Sequence, residues 1–287
     1  MTDLVPGAPR RGRERTDREL GRARAVGAIP WPLGVPAALG VLFLVVPLAA
    51  LLVRAPWSAL PRVLWDQAVL DALRLSLLCA TAATGVSFVL GVPLAWFLAR
   101  SPWRLVGILR ALVTLPLVLP PVVGGVALLL ALGRTGIVGE WVYRWTSFSL
   151  PFTTWGVVVA ETFVAMPFLV VTVEGAFRAA DQGYEEAAAT LGASRLTTFA
   201  RVTLPLVAPS LGAGAVLCWA RALGEFGATI TFAGNTPGRT QTMPLLVYLA
   251  LEDDLDAAVA LSLVLLLVSV VVLVALRDRW LRPVSVA

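Results

Sequence analysis

Histidine is absent from the 287 residues, cysteine occurs twice, and every basic residue is arginine. Without histidine the chain lacks the commonest general base and any Ser-His-Asp arrangement. That disfavours a hydrolytic enzyme and leaves intramembrane Asp or Ser chemistry open. Cys79 and Cys218 both lie in apolar runs. A disulfide between them is disfavoured, and two thiols are too few for a metal site. Charge is scarce as well: charged residues make up 14% of the chain and apolar ones 58%, with a mean hydropathy of +0.84. Soluble domains hold about 25% charged and about 45–50% apolar residues. The apolar excess is surface meant for lipid, so the chain reads as an integral membrane protein. A pI of about 10.2 invites a nucleic-acid reading. No aromatic-basic recognition module accompanies it, and arginines flanking spans explain the charge better.

Residues 1–30 are rich in Arg, Gly and Pro and lack apolar periodicity. They read as a disordered cytoplasmic tail rather than a signal peptide. Six spans follow from apolar length, at about 31–53, 69–98, 106–132, 152–174, 202–221 and 257–276. The last is the cleanest, since about 20 residues at 1.5 Å each cover the hydrocarbon layer of about 30 Å. With the N-terminus inside, the inner segments hold sixteen arginines: seven in the tail, then Arg100, Arg104, Arg110, Arg178, Arg195, Arg201, Arg277, Arg279 and Arg282. The outer side and span edges hold seven: Arg54, Arg62, Arg74, Arg134, Arg144, Arg221 and Arg239. The excess predicts that both termini are cytoplasmic. A short cytoplasmic tail is expected at 278–287, too short for a regulatory domain.

Spans three to five carry the helix-disturbing residues: Pro116, Pro120, Pro121, Gly124 and Gly125, then Pro167, then Pro205, Pro209, Gly212 and Gly214. In lipid, backbone groups freed by proline must be satisfied by protein or a wet cavity. These spans are therefore expected to line a path, or else to be kinked, packed helices, while spans one and six face lipid. Between spans five and six, Gly224 to Asp256 is rich in Gly, Thr and Asn. Its apolar part, Pro244 to Leu251, is too short to span and reads as an outer loop or a re-entrant segment.

An orderly polar connection, EEAAATLGASRLTTFARVTLP (185–205), lies on the predicted cytoplasmic side. Asp181 is placed to cap a helix starting near Gln182, and Glu185 and Glu186 fall in its first turn, where the helix dipole favours negative charge. Ala187, Ala188 and Ala189 give a slim, helix-favouring surface. Gly192 permits a sharp change of direction. Leu196, Phe199 and Val202 recur every three residues, which predicts a second helix with one buried face. On physical grounds this is either a partner-docking segment or an amphipathic linker on the membrane surface.

The spacing carries more. Glu186-Ala187-Ala188, three residues, Gly192, nine residues, then Val202-Thr203-Leu204-Pro205 resembles the EAA loop of ABC importer permeases, with valine where that pattern has isoleucine. LPLVLPPVVGG (115–125), LGRTGIVGEWVY (132–143) and residues 221–251 are similar to the molybdate permeases within that family, whose sulfate and tungstate relatives share much of the architecture. The resemblance implies an all-α, type I ABC permease fold of six transmembrane helices with its core over residues 68–277, span one being an addition outside it. It implies that Glu185, Glu186, Ala187, Ala188, Gly192, Leu204 and Pro205 couple the chain to a separate ATPase. It further implies alternating access, an extracytoplasmic oxyanion-binding protein and a second copy of the chain as partners. No GxxxxGK[ST] loop is present, so ATP and magnesium are expected on the partner ATPase and no cofactor on this chain.

Pathway or gate residues are sought in Gly224, Glu225, Phe226, Gly227, Thr229, Thr231, Asn235, Arg239 and Thr240. A dianion needs hydrogen-bond donors and a favourable field. Ordinary loop hydrogen bonding is the competing reading for each. Glu161, inside span four, and Glu225, four residues after Arg221, read as structural or gating groups, because a carboxylate repels an anionic cargo. An ion-driven secondary transporter is the rival class, but no internal repeat supports it.

Overall fold

The computed structural model describes the backbone of residues 31–280; the tail expected at 1–30 and the last seven residues of the chain lie outside the described residues. Two compact units are present, Met1–Arg54 and Ala55–Ala287. In the first, α1 (Trp31–Val53) is apolar throughout despite Pro36 and Pro47, and no residue of its spanning window is buried within its unit. A helix apolar on every side suits lipid.

The second unit is built around α7 (Thr154–Ala179), the most buried of the spanning helices. Thr153 starts it by accepting a hydrogen bond from the Gly156 N–H at 3.1 Å. Its main neighbour is α3 (Gln67–Arg100), capped by Asp66, whose carboxylate accepts from the Ala68 N–H. The face of α3 turned inward is small: Ala72, Ser76, Cys79, Ala80, Ala83, Ser87, Gly91 and Ala95 are buried. Small residues let helices approach closely, the usual basis of helix association in lipid. At Gly91 the approach is tight enough that a Cβ would stand 3.1 Å from Val170. Cys79 and Cys218 are both buried free thiols.

Among the described residues, four helices are long and apolar enough to cross a membrane: α1, α3, α7 and α13 (Leu255–Trp280). Two further crossings are bent pairs. The predicted span 106–132 divides into α4 (Val106–Val118) and α5 (Pro121–Leu132), inclined at 119°. The break sits at Leu119-Pro120-Pro121, where Leu119 and Pro120 are extended. A residue preceding proline avoids the helical region, and two prolines in succession make that true twice. The second pair, α9 (Arg195–Leu206) and α10 (Ala208–Leu223), is bent by 75° just before Pro209. The total is six spans when each bent pair counts as one.

The remaining elements are short: α2 (Leu60–Leu64), α6 (Gly139–Thr146), α8 (Gly183–Thr190), α11 (Gly227–Phe232) and α12 (Met243–Asp253). The stretch expected as a loop or re-entrant segment thus contains α11, which packs against α5, and α12, which packs against α3 and α13. The Met243 N–H donates to Ser76 Oγ at 2.8 Å, pinning the start of α12 to α3. The expectation that span six faces only lipid needs correcting. Ala258, Ala260, Leu261, Leu263 and Val264 in the first half of α13 are buried, because α12 folds back over them.

Candidate functional site

Two regions at opposite ends of α7 carry the unusual chemistry. The first surrounds α8. The Gly183 N–H donates to Asp181 Oδ1 at 2.9 Å, so Asp181 closes the turn before the helix, while Gln182 rather than Asp181 takes the cap position. The adjacent acids then part ways. Glu185 turns inward and forms an ion pair with Arg100 at 2.9 Å, with the two side chains 22% and 12% exposed. It also accepts from Thr203 Oγ1 at 3.2 Å. One carboxylate therefore ties the end of α3, the start of α8 and the middle of α9 together. Glu186, with Ala187 and Ala189, faces outward.

The end of α8 is a left-handed glycine cap. The Gly192 N–H donates to the Ala189 carbonyl and the Ala193 N–H to the Ala188 carbonyl, both at 3.0 Å, with Gly192 at φ +83°. This 6→1 and 5→2 pairing satisfies carbonyls that a helix end otherwise orphans. A Cβ on Gly192 would meet nothing within 4 Å, so backbone conformation rather than space demands glycine there.

The predicted second helix exists, but its buried face is different. Leu196 is 76% exposed, while Thr198, Thr203 and Val207 are buried and Phe199 is half-buried. A π-turn follows at Phe199–Thr203. Its i→i+5 bonding, as in the Leu204 N–H to Phe199 carbonyl, shifts the period that a three-residue spacing assumes. Leu204 and Pro205 form the last turn of α9, before the bend into α10. Tyr184, Leu191 and Leu196 leave an exposed apolar surface around α8. Beneath it lies a cavity of about 520 Å³ lined by Trp96, Arg100, Glu185, Glu186, Phe199 and Thr203, among others. Behind it, buried Glu174 is shared by Arg110 at 2.8 Å and Arg178 at 3.0 Å, joining α4 to α7.

The second region holds the residues proposed for a pathway or gate, and the structure scatters them. Gly224 caps the end of α10. Glu225 is buried and touches Arg221 at 2.6 Å, an ion pair without hydrogen-bond alignment. The two pair without sharing one helical face, because α10 stops at Leu223. The turn that follows lets the other Glu225 oxygen accept from the Ala228 N–H at 2.8 Å, starting α11. Phe226 packs against Tyr248. Gly227 lies so close to Pro121 that a Cβ would stand 2.8 Å from the proline ring. Thr231 donates to the Gly227 carbonyl, and Thr240 accepts from the Thr236 N–H, so both serve local structure. Thr229 Oγ1, Asn235 Oδ1 and one oxygen of Glu161 are buried without a hydrogen-bond partner. Glu161 itself is only 1% exposed.

Arg239 alone of these residues lines a cavity of about 770 Å³ at the Thr153 end of α7. Its companions there are Arg134, Thr135, Tyr143, Ser147, Ser149 and Thr153. The sequence signal for Arg134 is slight: an arginine between Gly133 and Gly136 in the predicted outer segment.

The chain matches the family described as "Binding-protein-dependent transport system inner membrane component" over residues 91–283. It is 49% identical over 245 residues to the molybdenum transport system permease protein of Mycobacterium tuberculosis, covering 85% of this chain and 92% of that one. It is 36% identical over 254 residues to the sulfate transport system permease protein of Escherichia coli K12, covering 87% and 91%. Among solved structures, a bacterial ABC transporter importing the acidic polysaccharide alginate superimposes with a TM-score of 0.72 at 16% identity, covering 94% of this chain and 100% of that one. With the bent spans and the loop geometry, these likenesses establish that the chain belongs to the binding-protein-dependent transport-system inner-membrane components and has the type I ABC importer permease fold.

Proposed function

We propose that this chain is the membrane permease of an ATP-driven importer that carries molybdate inward. The observation that carries the substrate is the 49% identity to a molybdenum permease across nearly its full length, against 36% to a sulfate permease. The chain works as a pair of copies, with two ABC ATPase subunits on the cytoplasmic face and an extracytoplasmic oxyanion-binding protein opposite. Both chain termini are cytoplasmic. ATP and magnesium belong to the ATPase subunits, and the energy reaches this chain mechanically.

The coupling element is α8. Its slim outer face, Glu186 to Ala189, and the exposed Tyr184, Leu191 and Leu196 suit a groove on the ATPase. The inner acid, Glu185, passes the push to α3 through Arg100 and to α9 through Thr203. ATP-driven closure draws the two α8 helices together and opens the cavity between the permeases outward. The loaded binding protein then releases its oxyanion into that cavity, and hydrolysis returns it inward-facing. Glu161 and Glu225 serve packing or gating; two buried carboxylates repel a dianion and do not hold it.

The test is reconstitution with the cognate ATPase and binding protein. ATP hydrolysis is expected to rise most with binding protein loaded with molybdate, and import to follow. Stimulation by sulfate-loaded but not molybdate-loaded binding protein would overturn the substrate. Transport without any ATPase would overturn the class.

A further inference from the structure

The cavity at the Thr153 end of α7 has no part in coupling. Two arginines, Arg134 and Arg239, line its volume of about 770 Å³. Thr135, Tyr143 and Ser149 add hydroxyls, and the lining contains no carboxylate. Among the described residues neither arginine has a carboxylate within 4.0 Å, whereas Arg100, Arg110, Arg144, Arg178 and Arg221 each have one. Glu140, six residues from Arg134, is already engaged by Arg144.

Both arginines stand on ordered backbone. Arg134 lies 4.2 Å over the ring of Tyr143, a cation–π contact that orients its charge. The turn carrying it is tied back to α5 by the Ile137 and Val138 N–H groups, which donate to the Leu130 and Ala131 carbonyls. A Cβ on Gly139 would collide with the Gly133 carbonyl oxygen, so this turn is close-packed. Arg239 sits in a turn closed by the Thr236 N–H donating to the buried Thr240 Oγ1 at 2.8 Å. Thr154 Oγ1 donates to the Arg239 carbonyl at 2.9 Å, fixing that turn to the first residue of α7.

Two unneutralised cations in a concave, partly apolar basin concentrate anions by focusing the field. Guanidinium forks and hydroxyls donate hydrogen bonds to tetrahedral oxyanions, and the charged donors supply most of the strength. Both arginines are exposed, so water screens the attraction and the site is weak. Weakness suits a transfer station, since a tightly held ion does not move on. We propose that this cavity is a low-affinity reception site for a tetrahedral oxyanion dianion, between its release from the binding protein and its entry into the pathway. The proposal rests on the oxyanion-importer reading above. It adds a site on this chain and names Arg134 and Arg239 as its paired donors.

The experiment uses the permease–ATPase complex in lipid nanodiscs, without binding protein, and measures radiolabelled molybdate by equilibrium dialysis. The wild-type complex is expected to bind saturably, with a dissociation constant on the order of millimolar that rises with ionic strength. Arg134→Gln and Arg239→Gln should each weaken binding about tenfold, as expected for loss of one charge-assisted contact. The double variant should bind none, and Arg→Lys variants should recover part of the loss. Size-exclusion profiles confirm that the variants assemble. Wild-type-like binding by the double variant would overturn the proposal. So would a wild-type complex that imports molybdate with its binding protein but binds no anion alone, a result that leaves the importer reading intact. A third overturning result is an unchanged anion titration with weaker hold on anion-free binding protein, which makes the arginines protein contacts. Failure of the fully assembled wild type to import any oxyanion counts against the importer reading itself.

Discussion

At the Ala179 end of α7, Arg100, Arg110 and Arg178 are each held by a carboxylate, Glu185 or Glu174. At the Thr153 end, Arg134 and Arg239 line a cavity with no carboxylate in its wall. The same residue type does two jobs. Where arginine is neutralised it acts as a joint, because a half-buried ion pair with further hydrogen bonds fixes two elements in one geometry. Where it is left without a counter-charge it presents a field to whatever arrives. Composition alone does not separate these uses; the position of the acids does.

The comparison breaks most severely at the joint's hinge. Gly192→Val places a β-branched residue at φ +83°, where L-residues pay roughly 1–2 kcal/mol and β-branched ones more. Import by the reconstituted complex should fall more than tenfold while the ATPase still copurifies. Gly192→Asn should keep much of the activity, because asparagine tolerates the left-handed region and a Cβ there meets nothing. Normal uptake by the valine variant would remove α8 from the coupling path.

The ion pair comes next. Arg100→Gln leaves Glu185 half-buried without its main partner, a loss of about 1–3 kcal/mol for charged hydrogen bonds, at the lower end here because both side chains keep some solvent contact. The expected signature is ATP hydrolysis that responds less to loaded binding protein. In a double-mutant cycle, Arg100→Gln with Glu185→Gln should cost less than the two single changes summed. Strict additivity would mean that the two residues act separately.

Glu174→Gln tests whether the deeper pair is structural only. It frees Arg110 and Arg178, and thermal unfolding should fall by a few degrees, at about 2–4 °C per kcal/mol for a domain of this size. Preference among molybdate, tungstate and sulfate should not move; a changed preference would show that the joint reaches the pathway. The smallest effect is expected of Thr203→Val, which removes one bond to Glu185 worth about 0.5–1.5 kcal/mol. Uptake should drop no more than severalfold, and a larger drop would give the π-turn a greater part in coupling than Arg100.

Much of the fold was legible in the residues. Long apolar runs placed α1, α3, α7 and α13 within a few residues, since lipid tolerates little else at that length. The pattern from Glu186 to Pro205 marked the loop proposed for coupling, and Gly192 is its turning point, as its residue type suggests. Leu196, expected on a buried face, is exposed in the first turn of its helix, and no residue type announces the π-turn that follows. Pro120-Pro121 marked the disturbance in span three, but hydropathy does not register direction, so the 119° turn between its halves was not legible. The pathway residues were harder still. Thr231 and Thr240 are donors by type but bind nearby backbone, and Arg134 lies about a hundred residues from Arg239.

By itself, then, the amino-acid sequence determined that this chain lives in lipid, where its crossings fall, and which loop carries the family's coupling pattern. Those properties depend on local runs and fixed spacings along one chain. Tertiary structure alone decided which acid of the Glu185–Glu186 pair turns inward, and which arginines are neutralised. It also decided that two arginines far apart in sequence share one basin at the end of α7. Coulomb attraction and desolvation act through distance in space, and only folding sets that distance.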